Sequence, residues 1–133
     1  VRRRALSPQQ QAWLEDQLGP VGQVNLWDGP LVDLACRLMG AGALTLRSSI
    51  WCSASASAAV ARWDPWARAL LVHEAVHVLQ YRRQGTVRFL FDYCCGYLAG
   101  RLRGLGHDAA YRALPAEREA FAAEAAVSSR AEG

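Results

Sequence analysis

Apolar residues first recur at helical spacing where Trp13, Leu14 and Leu18 share one face. Ser7 followed by Pro8 is the N-cap and first-turn signal of that stretch, and Gly19-Pro20 stops it, so a short leading helix is predicted. The segment 21–27 fits neither period cleanly. Asp28-Gly29-Pro30 marks a turn, and 31–39 returns to a helical apolar face that Gly40 and Gly42 end. Over 43–52 the period shortens: Leu44 and Leu46 alternate before Ile50 and Trp51, which predicts a short strand pair. Residues 53–61 are small alanines and serines, read as a loop.

Asp64-Pro65 is the strongest start signal in the chain, an N-cap position with proline at the first helical residue. No breaker follows until Gly85, so the central helix is predicted over Pro65–Gln84. A third helix over 86–103, apolar on much of its surface, ends at Gly104 to Gly106, and a last one starts near Pro115 and runs past Ala126. The fold class expected from these elements is α+β and mainly helical. A central helix, a short strand pair and a C-terminal helix rich in glutamate form a single domain over 1–133.

Composition narrows the function classes. About half of the 133 residues are hydrophobic, enough for one packed core and too few for two ordinary domains. The fifteen basic residues are all arginine and are offset by twelve acids, for a net charge of +3. They are scattered along the chain, which argues against a nucleic-acid partner. The most apolar long stretch, 87–102, is interrupted by Arg88, Asp92 and Arg101, so no membrane span is expected. The arginine-rich start leads into the polar 7–11 segment and not into an apolar one; no signal peptide is visible, and a cytoplasmic location is the favoured expectation. Cys36, Cys52, Cys94 and Cys95 have neither metal-finger nor disulfide-framework spacing and are expected to be reduced and buried.

The candidate chemistry lies on the central helix. His73-Glu74-Ala75-Val76-His77 places two imidazoles one turn apart on the same face, where both can bind one Zn²⁺. Glu74, beside the first histidine, is positioned to act as general base on a zinc-activated water. The plainer alternative is a pair of histidines hydrogen-bonded on an otherwise apolar helix, but burying two imidazoles and a carboxylate without a metal leaves polar groups in need of partners.

A catalytic zinc takes a third protein ligand. The extended metzincin pattern would put glycine and histidine where this chain has Gln80 and Arg83, which excludes that class. His107, Glu117, Glu119 and Glu124 remain as candidates. His73 to Gln80, followed about forty residues later by Pro115-Ala116-Glu117-Arg118-Glu119-Ala120, resembles the glutamate zincins, including the Ste24-like and ImmA/IrrE-like proteases. In that pattern a downstream helix supplies a glutamate followed by two variable residues, alanine, then Asp or Asn. The resemblance implies that Glu117 is the third ligand; Phe121, where Asp or Asn is expected, departs from it and leaves the partner of a ligating histidine unassigned. The His-Glu-x-x-His-x-x-Gln form is also similar to small uncharacterised bacterial zincin-like domains that sit beside other modules.

The function expected is a zinc-dependent metallopeptidase acting on a peptide or protein substrate. A zinc-activated water deprotonated by Glu74 attacks the carbonyl, and Tyr111 is a candidate donor to the oxyanion. The alternative is a catalytically weak or inactive zinc-binding interaction module of a larger toxin, effector or multidomain protein, its shallow cleft completed by a partner.

Overall fold

The computed structural model describes residues 1–132. In chain order the elements are β1 (Arg2–Ala5), α1 (Pro8–Leu18), β2 (Asn25–Asp28), α2 (Pro30–Met39), β3 (Ala43–Leu46), β4 (Ser49–Cys52), α3 (Ala54–Arg62), α4 (Pro65–Gln84), α5 (Thr86–Leu102), α6 (His107–Arg112) and α7 (Pro115–Glu132). The fold is α+β and mainly helical, as expected.

The predicted strand pair is half of a larger sheet. Four strands run in the order β1-β2-β4-β3, with β2 and β4 parallel and the two outer pairings antiparallel. In register, Leu26 lies beside Ile50 and Trp27 beside Trp51. Because side chains alternate across a strand, Leu26 and Ile50 enter the core while Trp27 and Trp51 stack on the other face, ring centroids 5.1 Å apart. β1 carries three arginines and gains its place from pairing with β2 and from an Arg2–Asp28 ion pair at 3.3 Å. Tertiary pairing of this kind leaves no periodic signal in the segment itself.

Helices α1, α3 and α4 cover the inner face of the sheet. Leu14, Val21, Val24, Leu26, Ile50, Ala56, Val60, Leu71, Val72, Ala75 and Val78 form one buried cluster, which Val127 joins from α7. The stretch expected to be a loop, 53–61, is α3. Ser53 caps it by accepting from the Ala56 amide, and its alanines favour the helical state. Ser7 and Gln10 complete a reciprocal capping box on α1. Asp64 occupies the N-cap of α4 but does not cap; its carboxylate goes to Arg62, and Pro65 alone marks the start.

Two further expectations fail. The segment that begins at His107, for which the sequence predicts no helix, is the short helix α6. Cys36 and Cys52 are buried, but Cys94 and Cys95 are exposed, because α5 turns Phe89, Gly96 and Gly100 inward instead. A Cβ on Gly96 would stand 2.7 Å from Leu114, and one on Gly100 3.1 Å from the Ala110 Cβ, so these glycines let α5 close onto the α6–α7 corner.

Around the middle of α4 almost every side chain from Leu71 to Tyr81 is buried, since the sheet, α5 and α7 cover it from different sides. Polar residues there are enclosed with the apolar ones. Ile50, at the centre of the cluster, is 1% exposed. Ile50→Ala should lower the unfolding free energy by about 2–5 kcal/mol in a urea titration, whereas Leu31→Ala on the open face of α2 should change it by less than ~0.5 kcal/mol. Equal effects would contradict this placement of the core.

Candidate metal centre

His73 and His77 project from the same side of α4, and α7 runs alongside to bring Glu117 between them. His73 Nε2 lies 2.8 Å from Glu117 Oε1, and His77 Nε2 lies 3.2 Å from the same oxygen. All three side chains are buried, and one potential ligand atom from each lies within 4.8 Å of the others. Glu117 sits in the first turn of α7 and Ala120, fully buried one turn on, lets that helix approach closely.

Glu119, the rival to Glu117, turns away. It accepts from Gln80 Nε2 at 2.8 Å and pairs with Arg83 at 3.0 Å. His107 is also apart from the cluster, its Nδ1 2.8 Å from the Tyr97 hydroxyl.

Gln80 explains how His77 is oriented. Its amide nitrogen donates to Ala116 O and Glu119 Oε1, so its carbonyl oxygen faces His77 Nδ1 at 2.7 Å and accepts from it. With Nδ1–H held by Gln80, Nε2 is the nitrogen that faces Glu117, at 3.2 Å, and the metal position. His73 is held differently. Phe121 packs edge-on against its ring, 4.6 Å between centroids, and the carboxylate one turn later, Glu124, lies 3.4 Å from Nδ1. That contact falls short of hydrogen-bond geometry and leaves Nδ1 without a hydrogen-bonded partner. The support that Phe121 cannot give is therefore offered, at longer range, by Glu124.

Tyr93 was not singled out by its sequence context, an apolar helix with no motif. Its hydroxyl donates to Glu117 Oε2 at 2.6 Å, so α5 also holds the carboxylate. Tyr111 stands beside the same carboxylate. Burial and Glu117 push both hydroxyls up, keeping them protonated donors.

Charge in the cluster is strongly coupled. Burial alone would lower the His73 pKa, but Glu117, Glu124 and Glu74 outweigh it and hold it up at about 9; His77 is raised by the same kind of balance. Burial would raise Glu117, but the two histidines and Tyr93 keep its carboxyl well below the usual range. Glu74 lies within this field without joining the cluster of His73, His77 and Glu117. Burial pushes its carboxyl up, partly offset by His77, by His73 and by the Thr45 hydroxyl, which donates to Oε2 at 2.6 Å. Thr45 belongs to β3, the edge strand, whose Thr45 carbonyl also accepts from Tyr81.

The cluster fits a metal ion. Two imidazoles and a carboxylate are a mixed nitrogen and oxygen donor set, Gln80 fixes which nitrogen of His77 faces Glu117, and the Nε2–Oε1 separations of 2.8 and 3.2 Å are within reach of one ion with bonds of about 2 Å.

A family model described as the eCIS core domain matches residues 5–85, well over half of the chain. The chain belongs to the eCIS core domain family. The matched region contains β2 to β4, α1 to α4, His73 and His77, and it ends before Glu117. Nothing among curated proteins or solved structures matches the chain. Within this eCIS core domain no helix among the described residues is long and apolar enough to cross a membrane.

Two outcomes follow for metal affinity. Tyr93→Phe and Gln80→Leu, which remove the supports of Glu117 and His77, should each weaken zinc binding by about 10- to 100-fold in a chelator competition, while Glu119→Gln should have a smaller effect. Unchanged affinity in both would contradict the roles given to these supports. Because His73 is held protonated up to about pH 9 and ligation requires the neutral ring, zinc uptake should release at least one proton at neutral pH. Affinity should therefore rise at least about tenfold per pH unit until pH passes that value, and a flat profile from about pH 7 to pH 8 would contradict it.

Proposed function

We propose that this eCIS core domain is a zinc-binding, zincin-like module of a contractile injection system, with His73, His77 and Glu117 holding the ion. The observation that carries this reading is the buried convergence of those three side chains within 4.8 Å. Two imidazoles and a carboxylate suit zinc better than the hard cations or the thiolate-seeking metals. A glutamate from a helix downstream of His-Glu-x-x-His is also the arrangement of the glutamate zincins, and it favours that class. Family membership supports a place in a multiprotein assembly. A single small domain would leave a shallow cleft for a neighbouring protein or domain to complete.

Peptide hydrolysis is the second reading, and Glu74 favours it. When bound, zinc supplies Lewis-acid polarisation of a carbonyl and acidifies water. Glu74 is buried next to both histidines, its pKa is raised in the direction useful to a general base, and the Thr45 hydroxyl orients it. In this reading Glu74 takes a proton from the attacking water and returns it to the leaving amine, and Tyr111 donates to the developing oxyanion. The outer edge of β3 lies beside α4 and would pair with an extended peptide.

Elemental analysis of the purified chain tests the first reading. About one zinc per chain is expected, lost in His77→Ala and in Glu117→Ala and retained in Glu119→Ala. No zinc in the wild type, before or after reconstitution, would end it. Glu74→Gln separates the two readings: it should keep the metal in both, and in the second it should abolish cleavage of a peptide library that the wild type cuts.

A further inference from the structure

Helix α5 is apolar on two opposite sides. Its inward side carries Phe89, Tyr93, Gly96 and Gly100: Phe89 and Gly100 are buried, Tyr93 reaches Glu117, and Gly96 lies against Leu114. With 3.6 residues per turn, the side facing away consists of Val87, Phe91, Cys94, Cys95, Leu98 and Leu102. Val87 is 83% exposed, Phe91 66%, Leu98 58% and Leu102 80%, and both cysteines are exposed. A helix that is apolar all round is normally covered all round. The ridge is not a scatter of single residues but a continuous strip along the length of α5, and no charge interrupts it. Arg88 and Asp92 lie on one flank and pair with each other at 3.4 Å, while Arg101 lies on the other.

We propose that this ridge is the contact between two copies of the chain, paired with their α5 helices antiparallel. The ridge is symmetric about its centre. The midpoint of the ridge falls between Cys94 and Cys95; Val87 and Leu102 lie equally far from it, and so do Phe91 and Leu98. A twofold axis through that midpoint sets Val87 on Leu102 of the second copy, Phe91 on Leu98 of the second copy, and Cys94 on Cys95 of the second copy. This is the self-complementarity an isologous interface requires, and an unrelated partner would not need it. The steps from 87 to 91, 94 and 98 alternate four and three residues, as in the seam of a helix pair. At roughly 100 Å² for each of six partly exposed side chains, on the scale of ~150–250 Å² for a fully buried aromatic, the ridge supplies on the order of 600 Å² per copy, close to the ~800 Å² per partner of a standard interface. The pairing leaves the inward side of α5 in place, so Tyr93 stays on Glu117.

Light scattering on the full chain at micromolar concentration tests this. The wild type should have twice the chain mass of 14.6 kDa. Phe91→Glu combined with Leu98→Glu changes two exposed side chains, should leave the circular dichroism spectrum intact, and should raise the dimer dissociation constant more than ~100-fold. A short bismaleimide should join wild-type chains into covalent dimers on dilution, and Cys94→Ser with Cys95→Ser should remove that product while the mass in solution stays dimeric. A monomeric wild type overturns the proposal, as does a dimer that survives the double glutamate change or forms no thiol cross-link. A monomer that floats with anionic lipid vesicles would assign the ridge to a membrane surface and overturn it equally.

Discussion

Two imidazoles and a carboxylate buried together set the terms for the C-terminal half of this molecule. Polar groups of this kind are expensive to remove from water unless each finds a partner. Glu117 is the partner common to both histidines, and reaching them requires α7 to lie along α4. Once α7 is there, Gln80 can span the gap to Ala116 O and Glu119, Ala120 packs without a gap, and Val127 closes onto the main core. Helix α5 enters the same arrangement through Tyr93, which takes the second oxygen of Glu117. Three helices are thus fixed around a single carboxylate.

The sheet has a different part in this arrangement. It buries the opposite side of α4 and presents β3 beside the histidines, so that Thr45 reaches Glu74. Glu74 is therefore held by a strand, while the cluster of His73, His77 and Glu117 is held by helices. The cluster is a property of the whole fold: α4 alone would present His73 and His77 without Glu117, Tyr93 or Thr45.

Much of this was legible in the sequence where the signal is local. The bounds of α4 follow from Pro65 and Gly85, and the spacing of His73 and His77 puts both on one face. The choice of Glu117 came from a resemblance and is supported here by geometry that sends Glu119 to Gln80 and Arg83. What escaped notice depends on contacts distant in the chain. β1 and β2 are strands because they pair, α3 is a helix because Ser53 caps an alanine run that otherwise reads as a linker, and Tyr93 gains its role from a residue in another helix. Cys94 and Cys95 were misplaced for a related reason. An apolar stretch predicts core, whereas α5 needs only its Phe89, Tyr93, Gly96 and Gly100 side to close the fold.

The central claim is that His73, His77 and Glu117 share one metal ion. Anomalous diffraction from crystals of the zinc-loaded chain, recorded on both sides of the zinc absorption edge, addresses it directly. The account predicts a single strong peak bonded to Nε2 of His73, Nε2 of His77 and a carboxylate oxygen of Glu117, with Gln80 still on His77 Nδ1. A peak bonded to Glu119 or His107 in place of Glu117, or no peak between the two histidines, would contradict it.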